Sequence, residues 1–242
     1  MNDLTQRQVE ILKSLIEEYI ESAEPVGSET LEKKHNLTVS PATIRNEMVT
    51  LTKFGYIQKT HTSSGRVPTP VGMKFYVKQL MKEKELSVAE EVAVKEKLWD
   101  YREKEPVFMK ELTKSLAEKT GVLALAVMDD GEIYSSGYAK ILDMPEFFDI
   151  DITRSLLSVI EEFDYFNNLF SKLTEDAEVH FLLGDDLPKL PAYYGCVYSK
   201  FETPGNGVGE IGVIGPLRLN YTSIVPVLKC YKNLINEIAK GW

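Results

Sequence analysis

The sequence has few of the residues from which catalytic and metal-binding sites are usually built. Its 242 residues include three histidines and two cysteines, and Cys196 and Cys230 lie among apolar neighbours without zinc-ligand spacing. The histidines are far apart in the chain, and the GxSxG, HExxH and P-loop motifs do not occur. We therefore predict no enzyme activity, no metal, no cofactor and two reduced thiols.

Long apolar runs are also missing. No stretch approaches the roughly 20 apolar residues of a membrane-spanning helix. The first eight residues, MNDLTQRQ, lack the basic start and apolar core of a signal peptide. With 43% apolar and 27% charged residues, the composition is typical of a soluble globular protein, and we predict a cytoplasmic location without a membrane partner.

The charge is distributed unevenly along the chain. The net charge of −9 argues against a nucleic-acid partner if it is taken whole. Residues 1–82, however, hold 11 basic and 9 acidic residues, a net charge of +2, and the other 17 basic and 28 acidic residues give −11. A mildly basic domain on an acidic body can be oriented towards phosphates.

Residues 40–55 are predicted to form an amphipathic helix. Ser40 suits the N-cap, Pro41 the first helical position and Gly55 the residue after the helix. One face is apolar and is expected to be buried: Ile44, Met48 and Leu51. The opposite face carries side chains that suit a DNA groove: Ala42, Thr43, Arg45, Asn46, Val49 and Lys53.

This face suggests base recognition, since Arg45 can bond to a guanine edge and Asn46 to an adenine edge. For the helix alone, an ordinary surface helix remains the alternative, and its flanks favour the DNA-binding interpretation. Thr5 and Gln8 form a capping box that opens a helix to about Glu21. A short helix then begins at Ser28, and a tight turn leads into the helix at 40–55.

After Gly55, the sequence predicts two short strands, residues 56–60 and 66–69, joined by a polar turn. A helix-turn-helix followed by a two-stranded ribbon is a winged helix. Its ribbon presents hydrogen-bond donors suited to phosphates or a minor groove: Lys59, His61, Thr62, Ser63, Ser64 and Arg66. For His61 the alternative is a solvated turn residue.

Residues 4–81 closely resemble the DNA-binding domain of the heat-inducible transcription repressors called HrcA. The resemblance is carried by EPVGSETL (24–31), VSPATIRNEM (39–48), GYIQKTHTSSGRVPT (55–69) and FYV (75–77). It implies a repressor that binds an inverted-repeat operator upstream of chaperone operons. It also implies that residues 40–46 read the groove, that residues 62–66 form the wing, and that the chaperonin GroEL is a partner.

The rest of the chain is predicted to hold a helical linker, residues 83–105, and an α+β domain, residues 106–242. Apolar strands alternate there with helices, and Asp-Gly at 130–131 indicates a hairpin. The stretches GYAKILDMPEF (137–147) and GEIGVIGPLRLNYTSIVPVL (209–228) resemble the GAF-like domain of the same family. The family's inserted dimerising domain is missing between Val127 and Gly137, which puts the usual dimerisation mode in doubt.

The last helix offers another dimer surface. Apolar residues recur along it at spacings of three and four: Tyr221, Ile224, Leu228, Tyr231 and Ile235. The same spacing is equally typical of a terminal helix that buries a wide stripe in its own domain, and the sequence does not decide between the two.

The favoured hypothesis is a dimeric, sequence-specific DNA-binding repressor of heat-shock genes. Base contacts are predicted from Thr43, Arg45 and Asn46, and phosphate contacts from Ser28, Lys59, Ser64 and Arg66. One alternative is a winged-helix regulator whose GAF-like domain senses a small-molecule effector. Another is a protein-interaction module whose winged helix no longer reads DNA.

Overall fold

A computed structural model describes residues 4–35, 37–60, 65–170, 177–203 and 207–239. The chain forms two compact units, residues 1–82 and 83–242, which we call the first and the second unit. No helix among the described residues is long and apolar enough to cross a membrane.

The first unit has a helical core followed by a two-stranded ribbon. Its elements are α1 (Gln6–Ser22), α2 (Ser28–His35), α3 (Pro41–Lys53), β1 (Ile57–Lys59), β2 (Arg66–Pro68) and α4 (Pro70–Phe75), which continues as a π-helical turn (Tyr76–Leu80). The predicted capping box is confirmed, because Thr5 accepts from the Gln8 amide and the Gln8 side chain accepts from the Thr5 amide.

The apolar face of α3 packs into this core as predicted. Ile44, Met48 and Leu51 are buried, and α3 contacts both α1 and α2. Buried side chains from α1 and α2 complete the packing: Ile11, Leu12, Leu15, Ile16 and Leu31. The opposite face of α3 is left to solvent.

The ribbon lies directly after α3. β1 and β2 are antiparallel, with Ile57 opposite Pro68 and Lys59 opposite Arg66. Val26 adds a single-residue third strand through two 2.9 Å backbone hydrogen bonds with Arg66. Gly72 of α4 closes the base of the ribbon, since a Cβ there would lie 2.0 Å from the Tyr56 carbonyl oxygen. This arrangement is a winged helix.

In the part of the second unit that the structure describes, six α-helices combine with an antiparallel sheet. Its helices are α5 (Val88–Trp99), α6 (Glu105–Thr120), α7 (Tyr138–Leu142), α8 (Ile150–Ile160), α9 (Phe163–Phe170) and α10 (Tyr221–Ile238), with a 3₁₀ turn at Pro145–Phe148. Its strands are β3 (Leu123–Val127), β4 (Ile133–Ser136), β5 (His180–Leu183), β6 (Tyr194–Thr203) and β7 (Gly207–Pro216).

The five strands form one sheet in the order β4-β3-β7-β6-β5, with antiparallel neighbours throughout. α6 and α10 pack on the sheet, and α5 packs on both of them. A second apolar core includes side chains of the sheet and of α7, α8 and α9, among them Leu125, Leu156, Phe166, Phe170 and Tyr198. The predicted α+β architecture is therefore confirmed.

Two features differ from the sequence-based expectations. The segment 83–105 was predicted to be a linker, but it belongs to the second unit, and Val94 and Leu98 of α5 are buried. The stripe on α10 was considered as a dimer surface. Its residues are at most 2% exposed within their own chain: Tyr221, Ile224, Leu228, Tyr231 and Ile235. That prediction is corrected, because the stripe packs inside its own domain.

A buried carboxylate ties α1 to α2. Glu18 is 4% exposed. The Lys34 ammonium donates a hydrogen bond to its Oε1 at 2.6 Å, and His35 Nε2 lies 3.3 Å from its Oε2. The bond from Lys34 lowers the pKa of Glu18 from its usual value of 4.5, and His35 lowers it further, although burial opposes both.

This pairing predicts a pH-dependent contribution to stability. A carboxyl whose pKa is depressed by folding stabilises the native state fully above the unfolded-state pKa, and this contribution is lost as the pH falls through the folded-state pKa. Glu18→Gln should lower the free energy of unfolding by about 1–3 kcal/mol at pH 7, with the difference shrinking below about pH 4.5. Native-state hydrogen exchange of the α1 and α2 amides, measured over this pH range, gives the difference in the free energy of unfolding.

The matched control is Glu21→Gln, which changes an exposed carboxylate on the same helix and should follow the wild-type pH dependence. The assignment is wrong if Glu18→Gln and the wild type lose stability in parallel between pH 6 and about pH 3.

Candidate nucleic-acid interface

The solvent-facing side of α3 carries a continuous set of polar and small side chains. Because an α-helix has 3.6 residues per turn, burial of Ile44, Met48 and Leu51 turns the other positions outwards. The exposed residues on this face are Ala42, Arg45, Asn46, Val49 and Lys53. The face therefore offers the guanidinium of Arg45 and the side-chain amide of Asn46 beside the methyl groups of Ala42 and Val49.

The start of α3 is fixed by its cap. The Ser40 hydroxyl accepts a hydrogen bond from the Thr43 amide at 3.2 Å, and it lies 3.0 Å from the Thr43 hydroxyl. Pro41 occupies the first turn, as the sequence predicted. The hydroxyls of Ser40 and Thr43 thus hold the end of the helix that would enter a groove, which makes their first role one of positioning.

Two contacts that sequence reasoning missed hold α3 in place. At its middle, Gln8 Nε2 of α1 donates to Glu47 Oε2 at 2.9 Å, and Arg7 lies 3.8 Å from the same carboxylate. At its last turn, Arg66 Nε of the ribbon donates to Thr52 Oγ1 at 3.3 Å. Neither pair has a local sequence signal, since each joins residues from different elements.

A cleft of about 420 Å³ lies beside the exposed face of α3. It is lined by Gly27, Ser28, Glu29, Thr30, Arg45, Met48, Lys59 and Arg66. The cleft brings together four predicted contact residues, one each from α2, α3, β1 and β2: Ser28, Arg45, Lys59 and Arg66. Three cations against one carboxylate, that of Glu29, give it a net positive lining.

The start of α2 adds to this positive lining. Ser28 is the first residue of the helix, and its side chain is buried. The amide N–H groups of a first helical turn lack intrahelical acceptors and carry the positive end of the helix dipole. The phosphate contact predicted from Ser28 stays a prediction, and the free amides of this first turn are a second source of donors for it.

The ribbon places Lys59 and Arg66 directly opposite each other. Lys59 is exposed, whereas Arg66 is half-buried and also donates to the Gly65 carbonyl at 3.2 Å. Arg66 therefore both lines the cleft and links the ribbon to α3. The remaining predicted wing residues, His61, Thr62, Ser63 and Ser64, lie outside the described residues.

The described residues of the second unit include no group of three or more side chains suited to a metal ion. Both cysteines are free, and burial raises the pKa of the Cys196 thiol to about 12. His180 is buried and its ring stacks on Tyr198 with centroids 4.8 Å apart.

Two family descriptions match the chain. The description "Winged helix-turn-helix transcription repressor, HrcA DNA-binding" matches residues 3–81. The description "HrcA protein C terminal domain" matches residues 69–225. The first coincides with the winged helix, and the second covers most of the second unit.

Curated relatives agree with these matches. The chain is 26% identical to the heat-inducible transcription repressor HrcA of Carboxydothermus hydrogenoformans, over 97% of this chain and 98% of the relative. It is 27% identical to the HrcA of Clostridium acetobutylicum, over 97% of each. Both alignments span 337 positions, whereas 97% of this chain is about 235 residues, so about 100 positions have no counterpart here.

A solved structure has the same fold. A crystal structure of a hypothetical protein superposes with a TM-score of 0.79 at 18% identity, covering 98% of each chain. With the two family matches, which together span residues 3–225, the architecture and the exposed α3 face lead to one assignment. This chain belongs to the HrcA family.

Proposed function

We propose that this protein is a sequence-specific DNA-binding repressor of heat-inducible chaperone genes. The observation that carries the proposal is the exposed face of α3, which lies beside the cationic cleft formed with α2 and the ribbon. The relatives named above are heat-inducible transcription repressors, and the family's first domain is described as DNA-binding, which supports the same role. Its action on a bacterial chromosome would place it in the cytoplasm, without catalytic chemistry.

Base recognition is assigned to α3. Arg45 and Asn46 are exposed at adjacent positions near the start of the helix, where recognition helices contact base edges. Arg45 can donate two hydrogen bonds to a guanine, and Asn46 can pair with an adenine. Ala42 has no bulk that would keep the helix from the groove, and Thr43, whose hydroxyl lies 3.0 Å from that of the cap Ser40, is proposed as a third base contact.

Backbone contacts are assigned to the cleft and the ribbon. Lys59, Arg66 and the α2 amides at Ser28 surround a space suited to phosphate oxygens. The wing residues His61, Thr62, Ser63 and Ser64 are proposed to continue these contacts along the duplex. Such contacts fix the register of α3 without reading sequence.

Repression of this kind is proposed to use two chains on an inverted repeat. A two-fold protein matches a two-fold DNA site, with recognition helices one helical turn apart. The acidic charge of residues 83–242, net −11, would keep the second unit away from the phosphates and leave the mildly basic first unit to contact them.

Effector sensing by the second unit receives less support. Among the described residues, the core between the sheet and α7–α9 is filled by packed aromatic side chains. The Phe170 ring packs at a tilt against Tyr198 with ring centroids 4.2 Å apart, and the ring centroids of Phe166 and Phe170 are 5.7 Å apart. A filled core is not the concave space in which small effectors bind, and the cleft of about 360 Å³ beside Leu142 and Leu157 is open and largely apolar.

Two substitutions separate base reading from backbone binding. Arg45→Ala should cost about 1–3 kcal/mol against the cognate base pair and relax preference at that position alone. Lys59→Ala should weaken binding to all sequences alike and reduce the magnitude of the salt slope by about one. Titrations of a fluorescent operator and of its single-base variants, over a salt series, measure both.

If Arg45→Ala leaves a clear operator preference unchanged, the assignment of base reading to Arg45 is wrong. The proposal as a whole fails if the wild-type protein binds all duplexes equally. That result would favour an interaction module whose winged helix no longer reads sequence. If Arg45→Ala and Lys59→Ala produce the same uniform loss, α3 contacts the backbone only.

GroEL is proposed as a partner on the family resemblance alone. We expect GroEL with ATP to raise the fraction of refolded protein that binds the operator, because a chaperonin shifts the balance between folded and unfolded chains. The readout is the active fraction in a stoichiometric operator titration. An unchanged fraction with active GroEL would remove this partner from the account.

A further inference from the structure

The exposed face of α3 has an apolar side chain near its centre. Val49 is 41% exposed, although valine is among the residues most often buried in proteins. Arg45 and Asn46 on the same face have bases assigned to them, whereas Val49 has no role in the proposed function. Its position on the helix and the chemistry of a DNA groove together indicate what it contacts.

Val49 lies in the middle of the stripe that faces away from the core. Because successive residues of an α-helix are about 100° apart around its axis, Val49 is about 40° from Arg45 on one side and about 60° from Asn46 on the other. Ala42, seven residues earlier, lies only about 20° from Val49. The two methyl-bearing residues therefore form a short apolar line between the guanidinium and the side-chain amide.

The hydroxyl groups next to Val49 are turned back onto the helix. The Thr50 hydroxyl donates to the Asn46 carbonyl at 3.3 Å, and the Thr52 hydroxyl donates to the Met48 carbonyl at 2.7 Å. Both threonines are only partly exposed, whereas Val49 between them and Asn46 is exposed. This turn of the helix therefore presents methyl groups, and not hydroxyls, to a groove.

The major groove of DNA offers one apolar group to such a side chain. Its base edges carry hydrogen-bond donors and acceptors, and thymine adds its C5-methyl group. The phosphate backbone is charged, so it gives the valine no comparable contact. Packing the isopropyl group of Val49 against a thymine methyl removes apolar surface of both from water. Thymine is thus the base that suits the centre of this face.

We infer that Val49 is a specificity-determining residue that reads a thymine through its C5-methyl group. The inference rests on the proposed function, because it requires α3 in the major groove. Val49 lies four residues beyond Arg45 and three beyond Asn46, a rise of about 4.5–6 Å along the helix. Since neighbouring base pairs are about 3.4 Å apart, the thymine is expected within about two base pairs of the bases that Arg45 and Asn46 contact.

Replacing single thymines by uracil tests the inference, because the two bases differ only by this methyl group. The full chain is titrated with the inverted repeat, in which one thymine of one half-site is replaced at a time. For the wild type, we expect a three- to fourfold loss of affinity at one position, about the effect of exposing one methyl group.

Val49→Ala should bind the thymine operator about tenfold more weakly than the wild type, because both half-sites lose the contact. At the position where the wild type responds to uracil, this variant should bind thymine and uracil equally. Its salt slope should equal that of the wild type, since loss of an apolar contact leaves the number of neutralised phosphates unchanged. Lys59→Ala, in contrast, is expected to reduce that slope.

Val71→Ala is the matched control. Val71 is a 54% exposed valine of α4 in the same unit, and its replacement should leave both the operator affinity and the response to uracil unchanged. Thermal unfolding should show that Val49→Ala folds, because the side chain is exposed and alanine is a better helix former than valine.

The outcomes separate this inference from the proposed function. A wild type that prefers the operator but responds to uracil at no thymine overturns the inference and leaves the repressor function standing. A folded Val49→Ala protein that keeps the wild-type response to uracil also overturns it, since another residue would then contact the methyl group. A wild type that binds the operator and a scrambled duplex equally rejects the proposed function, and the inference with it.

Discussion

The burial of one side of α3 is the interaction on which the proposed DNA contact depends. Ile44, Met48 and Leu51 anchor the helix in the core of the first unit, which leaves Arg45 and Asn46 outside. The polar contacts of Glu47 with Gln8 and of Arg66 with Thr52 then hold the middle and the last turn of the helix. Because direct readout requires side chains to meet base edges within hydrogen-bond distance, this rigid mounting matters as much as the contact residues.

The second unit uses its apolar residues in two ways. Helices pack on the sheet, and the apolar stripe of α10 is buried in this packing. α7 and α8 are different, because inward side chains such as Ile141 and Leu156 fill the core, whereas Leu142 and Ile150 on the same helices are exposed.

Much of the first unit could be predicted from the sequence, because its signals are local. The Thr5–Gln8 capping box, the Ser40 cap and the period of Ile44, Met48 and Leu51 all depend on neighbours within a few residues. The Val26 strand could not be predicted, since one residue has no periodicity. The sequence also could not show whether the α10 stripe packs in its own domain or against a second chain, because apolar spacings of three and four occur in cores and in interfaces alike. The cleft that gathers Ser28, Arg45, Lys59 and Arg66 exists only in three dimensions.

The central claim is that this winged helix reads sequence on a two-fold site. Binding of the full chain to the inverted repeat upstream of its chaperone genes, and to a scrambled duplex of equal composition, tests it across a salt series. We predict binding to the repeat that is tighter by at least about 10³, with two chains per duplex. Equal affinities with the same steep salt dependence would contradict the account, because they would leave only contacts to the phosphate backbone.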